Sequence, residues 1–265
     1  MQGLGSIYAA FDRALIMSIF SRTELILGRA AMERLARAHV IVFGVGGVGS
    51  YASEALARCG VGALTLVDHD VVSETNINRQ AHALHSTIGQ PKIDAMASRL
   101  LDINPAAEIR KIAKFYSPGL ADEFFSGPVD YVLDCIDTLA CKMDLAIEAG
   151  KRGVAIISCM GTGNKLDPSR FQVSDISKTR DCPLARNMRK ELRKRGVNHL
   201  KVVYSQEAPV APLDAEMHSA MLQELSPEAS SRRAIPGSVS FVPAAAGLLM
   251  AAEAVKDMLA ATRHQ

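Results

Sequence analysis

The stretch Val40–Arg79, VIVFGVGGVGSYASEALARCGVGALTLVDHDVVSETNINR, limits the fold more than any other part of the chain. Val40–Phe43 is an uncharged run of β-formers, as suits a strand buried on both faces. Gly44, Gly46 and Gly49 follow in G-x-G-x-x-G order, with Gly47 added. One glycine makes a tight turn, one lets a phosphate approach bare backbone, and one lets the next helix pack closely. Val48–Arg58 has helical spacing, and its N-terminus would aim free N–H groups at an anion. Gly60 and Gly62 end that helix, and Ala63–Val67 reads as a second strand. Asp68 stands at its end, roughly 20 residues past the glycines, where a ribose-binding acid belongs. The stretch therefore predicts a nucleotide-binding βαβ unit.

The next residues bear on which nucleotide. Asp70, Asn76, Arg79 and Gln80 follow, then Lys92 in GQPK. Hydride transfer needs no cation beside a leaving group. Splitting a triphosphate does, because charge builds on the departing pyrophosphate. Arg79 offers a planar fork for phosphate oxygens and Lys92 a point charge. The acids can orient ribose or help to hold Mg²⁺, which favours carboxylate, water and phosphate oxygens. A nicotinamide oxidoreductase has only the βαβ unit in its favour.

Along the rest of the chain, Arg22–Arg37 has helical character. Asn76–Gln90 reads as loop or short helix, with His82 and His85 as surface or capping residues. Pro91–Leu101 reads as a helix, Glu108–Ala113 as a strand and Ser117–Phe125 as a helix. Val129–Leu133 is a buried strand followed by Asp134 and Asp137, at the strand end where open α/β sheets bind ligands. Asp137 could also cap the helix that begins near Leu139. Asp134 is read as structural. Ala155–Ser158, Phe171–Ser174 and Val202–Ser205 are further strands. Arg186, Arg189, Lys190, Arg193, Lys194 and Arg195 crowd one helical segment within a basic stretch of about 178–201. A charged run is usually a solvated face. So one-sided a run suits a phosphate backbone better, and these residues are the candidate nucleic-acid contacts. Residues 206–236 read as a mobile loop near the site. Ser240–Leu259 reads as a buried closing helix, too short and too charged for a membrane span.

GVGGVGS, LVDHDVVSETNINRQ, IGQPK with LLDINP behind it, and VLDCIDT resemble the ThiF/MoeB/ubiquitin-activating superfamily of adenylating enzymes across about Arg22–Ser158. FSRTELILG and DISKTRDCPLARNMRKELRKRG are similar to its tRNA threonylcarbamoyladenosine dehydratase subfamily. The resemblance implies a Rossmann-like, mostly parallel sheet with flanking helices, extended by antiparallel strands and the basic helical segment. It divides the chain into an adenylating core, 17–160, and a C-terminal part, 161–265. It places Met17 at the family-like start, so that 1–16 is expected to be a poorly ordered extension without a signal peptide's features.

For function, the resemblance implies adenylation of the threonylcarbamoyl carboxylate on a tRNA adenosine, followed by ring closure with net loss of water. ATP and Mg²⁺ would be required. Asn76, Arg79 and Lys92 would bind phosphates, and Asp137 would be the Mg²⁺-associated acid. Gly44, Gly46, Gly47, Gly49, Asp68, Asp70, Gln80 and Thr138 would hold the nucleotide. Arg22 would reach the neighbouring active site of a homodimer. The partner would be tRNA; some dehydratases carry a cysteine before the last helix, but Ala234, Ile235, Pro236 and Gly237 stand there in this chain, which counts against a sulfur-relay protein as a further partner through that residue. Relatives that activate small carrier proteins often use a cysteine, and Cys182 is the acceptor in that alternative. Several relatives carry zinc on two C-x-x-C pairs; Cys59, Cys135, Cys141, Cys159 and Cys182 form none, so no zinc is expected. Five cysteines in this pattern suit reduced thiols in a cytoplasm.

Overall fold

The computed structural model describes residues 18–211, 213, 214, 216, 217, 219 and 236–260. The expectations for 1–16 and for most of 206–236 lie outside them.

Seven strands form one sheet: β1 (His39–Phe43), β2 (Ala63–Val67), β3 (Glu108–Ile112), β4 (Tyr131–Asp134), β5 (Ala155–Cys159), β6 (Phe171–Asp175) and β7 (Lys201–Ser205). Their order is β3-β2-β1-β4-β5-β7-β6. Every neighbouring pair is parallel except β6–β7. The chain winds outward from β1 on one side through β2 and β3, and on the other through β4 and β5. A crevice therefore opens at the carboxyl ends of β1 and β4, where the winding reverses.

The helices are α1 (Ser21–Leu27), α2 (Arg29–Arg37), α3 (Gly49–Arg58), α4 (Lys92–Ile103), α5 (Leu139–Lys151), α6 (Pro183–Lys194) and α7 (Phe241–Ala260). Alternation along β1 separates the two faces of the sheet. Val40 and Val42 pack with Leu56, Met96, Leu100, Met250 and Ala254, from α3, α4 and α7. Ile41 and Phe43 pack with Tyr116, Phe124 and Leu145 on the opposite face. A further cluster joins α6 to β7 and α5 through Met188, Leu192, Val202, Tyr204 and Ala146.

Three elements differ from the reading of the sequence. The helix over 22–37 is two, broken at Gly28 with φ +83°. Ser117–Phe125 contains only one 3₁₀ turn, Ala121–Glu123, because Phe124 and Tyr116 both turn under β1 to fill its aromatic cluster. The helix after β4 is preceded by Thr138, not Asp137, and no side chain caps it.

The last helix supports the first loop. A Cβ on Gly247 of α7 would lie 2.3 Å from the Val48 carbonyl oxygen, so only glycine lets the two backbones approach. That approach sets Pro243 against Gly47. No helix among the described residues is long and apolar enough to cross a membrane.

Candidate active site

A cleft of about 650 Å³ opens at the predicted strand ends. The glycine loop forms its floor. Gly44 has φ +85°, and a Cβ there would sit 2.9 Å from the Cys135 carbonyl oxygen. A Cβ on Gly49 would lie 1.9 Å from the Gly44 oxygen, so Gly49 closes the turn from below and is not part of the lining. Gly46 differs. A Cβ there would meet only Gln80 Nε2, at 3.9 Å. The protein's own packing does not require glycine at Gly46, which is what an approaching ligand would ask of it.

Asp68 directly follows β2 and is tied to that loop. Its Oδ2 accepts the Val45 N–H at 2.7 Å and its Oδ1 accepts the Asp70 N–H at 2.9 Å. Asp70 in turn pairs with Lys92, Nζ to Oδ2 2.6 Å, and Lys92 is almost wholly buried. Both line the cleft. Asp68, His69 and Asp70 are the one cluster of metal-ligating side chains among the described residues. Its charge is already engaged by backbone N–H groups and by Lys92, which makes it a poor cation site.

Opposite lies the turn that carries Asn76, Arg79 and Gln80, all in the lining. Asn76 Oδ1 accepts the Ser73 N–H at 3.1 Å and closes a 3₁₀ turn, Glu74–Asn76. Arg79 donates through Nη1 to the Thr75 carbonyl and to Asn78 Oδ1, each at 2.8 Å. Partial burial holds its guanidinium below the ordinary arginine value. A desolvated cation anchored through one nitrogen suits an anionic ligand. Gln80 Oε1 is buried without a hydrogen-bond partner. The third wall is Cys135–Asp137, with the Asp137 carboxylate exposed and accepting from the Thr138 hydroxyl at 3.3 Å. A cleft bearing Arg79, Lys92 and the exposed carboxylate of Asp137, with that of Asp70 paired to Lys92, fits a phosphate-bound hard cation at Asp137.

Not every predicted residue converges here. Thr138 precedes α5 outside the lining, and Arg22 is exposed on α1, also outside it. Arg22 stands near Leu25 and Ile26, whose 88% and 86% exposure makes an apolar patch.

Three further findings correct the sequence reading. His82 is buried, not a surface residue. Cys182 is 5% exposed beneath Met188 and Met160, so its thiol is closed to an incoming acyl group. Arg189 leaves the basic face of α6 and turns inward. Its Nη1 donates to the Thr179 and Ile176 carbonyl oxygens and to Thr179 Oγ1, the last at 2.6 Å. Lys194 and Arg195 pair with Glu191. Arg186, Lys190 and Arg193 remain on one exposed stripe with no ion pair among the described residues.

Sequence reasoning missed Phe115 and His69, which meet edge to face with centroids 5.0 Å apart in the cleft wall beyond Asp68. It also missed Lys142 behind Cys135–Asp137. His69 lies within LVDHDVVSETNINRQ, but its contact with Phe115 and the place of Lys142 depend on how separate elements meet.

The ThiF family model matches residues 20–265. The chain is 46% identical over 244 residues to the tRNA threonylcarbamoyladenosine dehydratase of Bacillus subtilis (strain 168), which covers 91% of this chain and 94% of that one. The crystal structure of the E. coli tRNA N6-threonylcarbamoyladenosine dehydratase in complex with ATP matches with a TM-score of 0.81 and 32% identity. The match covers 95% of this chain and 100% of that one. Similarity to the molybdopterin-synthase adenylyltransferase of Salmonella typhimurium, 36% over 126 residues, spans 48% of this chain and 50% of that one.

Proposed function

The chain belongs to the ThiF family and, within it, to the tRNA threonylcarbamoyladenosine dehydratases, and we propose that it catalyses the ATP-dependent cyclising dehydration of threonylcarbamoyladenosine in tRNA. The observation that carries the reading is one cleft that combines the glycine loop, Asp68, Arg79 and Lys92. These are the groups that adenylation needs, and they stand at the strand ends where a nucleotide fits.

In this reading a carboxylate oxygen of the threonylcarbamoyl group attacks the α-phosphorus of ATP. The bond to the bridging oxygen breaks, and pyrophosphate leaves with its electron pair. A nitrogen of the same group then attacks the activated carbonyl carbon, gives up its proton, and expels AMP. The ring closes with net loss of one water. The second step is intramolecular, so no protein nucleophile is required and the entropic cost of meeting is low. Asp68 orients ribose; Asn76, Arg79 and Lys92 hold the phosphates. Mg²⁺ bound through the nucleotide near Asp137 would neutralise phosphate charge.

The exposed stripe Arg186, Lys190 and Arg193 is the tRNA-contacting surface, at i, i+4 and i+7 on one helix face. Arg22 acts across a homodimer whose contact includes the apolar patch of α1. A reducing cytoplasm suits the free cysteines. No zinc is needed. The alternative, activation of a small carrier protein through Cys182, has the buried thiol against it. The test is incubation with ATP, Mg²⁺ and tRNA carrying the linear modification, then nucleoside mass spectrometry. Loss of one water supports the reading; an unchanged nucleoside beside consumed ATP opposes it.

A further inference from the structure

Asp134 and Lys142 are both wholly buried, 0% exposed, with Nζ 3.0 Å from Oδ2. Such a pair is hard to account for by stability. Taking two charges out of water offsets most of their attraction, and apolar residues of the same volume often serve the core as well. What sets this pair apart is where its remaining bonds go. Lys142 Nζ donates to the Ile136 carbonyl oxygen at 2.9 Å. Asp134 Oδ1 accepts the Ile136 N–H at 3.2 Å. Ser158 of β5 donates to Asp134 Oδ2 and fixes the carboxylate from the other side. Both polar groups of one peptide residue, Ile136, are thus held from beneath by opposite charges.

Ile136 lies between Cys135, whose carbonyl meets Gly44, and Asp137, whose carboxylate faces the cleft. A shift of Ile136 would move both walls at once. We propose that Lys142, with Asp134, is a positioning residue that sets Asp137 and the Cys135 wall for binding of the metal–nucleotide complex. The inference rests on the function proposed for this cleft, in which Asp137 serves that complex. Lys142 touches no substrate. It acts through a fixed peptide, much as outer groups orient a metal's ligands.

The test is the affinity for ATP measured by calorimetry with and without Mg²⁺, on the full chain and without tRNA. Asp134→Asn with Lys142→Met removes both charges and keeps the volume. The expected result is that this double variant and Asp137→Asn each lose about tenfold of the Mg²⁺-dependent gain in affinity. Adding Asp137→Asn to the double variant should lose nothing further, because residues acting as one unit are not additive. If the Met variant does not fold, Asp134→Asn with Lys142→Leu, which likewise removes the donor to the Ile136 carbonyl, takes its place in the cycle. A folded charge-free pair with the wild-type Mg²⁺ response would overturn the proposal, and so would additive losses. An Asp137→Asn protein with an intact Mg²⁺ response would overturn the role of Asp137 itself and the proposal with it.

Discussion

Asp70 holds Lys92 at two points: its Oδ2 accepts from Nζ at 2.6 Å, and its carbonyl oxygen accepts from the Lys92 backbone N–H at 3.0 Å. The ammonium is thereby fixed at the start of α4, facing the cleft, before any nucleotide arrives. Lys92→Ala should keep the fold, because the carboxylate it leaves unpaired, that of Asp70, is half exposed and can be solvated. It should slow pyrophosphate release in the presence of modified tRNA by about 10²–10³-fold, as loss of a charge aimed at a departing group does elsewhere. Asp70→Asn should slow it less, since the cation remains. Unchanged release from a folded Lys92→Ala protein would contradict the role.

The two kinds of arginine on α6 should behave differently. Replacing Arg186, Lys190 and Arg193 together with alanine should weaken tRNA binding and flatten its dependence on salt, by about one unit of log–log slope for each phosphate no longer neutralised. Arg189→Ala should leave the salt slope in place and instead lower stability by about 1–3 kcal/mol, because it strips a charged donor from the Thr179 and Ile176 carbonyls. Filter binding over a salt series and denaturant unfolding separate the two.

His82 gives the protein an acid limit. Burial, with help from nearby Lys92 and Arg99, lowers its pKa to about 4. The folded form therefore keeps the ring neutral while an unfolded chain takes up a proton near the ordinary value of about 6.5. The unfolded state binds more protons between those values. The associated stability is fully present above about pH 6.5 and is lost as pH falls toward 4, by about 3 kcal/mol in all. His82→Leu should flatten that part of the stability–pH curve in urea titrations. A variant with the wild-type slope would show that other groups set it.

Cys182→Ala tests the carrier-protein alternative. With the thiol buried, turnover on modified tRNA should stay within about twofold, and the protein should lose about 1 kcal/mol of stability through the small cavity left in the α6 cluster. Activity abolished in a folded Cys182→Ala protein would revive a covalent role.

The parts of the fold carried by local pattern were legible. Gly44 and Asp68 belong to one strand–helix–strand unit whose spacing is set by backbone geometry, while Arg79 and Lys92 follow it in the chain, on the turn after β2 and at the start of α4, and all four line one cleft. Residues whose role depends on a distant partner were not. Arg189 looks like its basic neighbours in sequence, but it is drawn inward by the Thr179 and Ile176 carbonyls. His82 lies in a polar stretch, yet the turn folds it under α4. Asp137 has an N-cap's chemistry, but the helix starts one residue too late to use it. Lys142 follows no motif at all, because the carboxylate that holds it ends the preceding strand. The buttress of Gly247 against Val48 joins residues far apart in the chain, and no periodicity reports it.

In the proposed reaction, ATP is consumed to activate a carboxylate on tRNA. The most direct measurement follows AMP and the modified nucleoside together in one reaction with ATP, Mg²⁺ and tRNA bearing linear threonylcarbamoyladenosine. The mechanism predicts one AMP for each nucleoside that loses a water, with no conversion when ATP is omitted. AMP formed without that loss, or water lost without ATP, would contradict it.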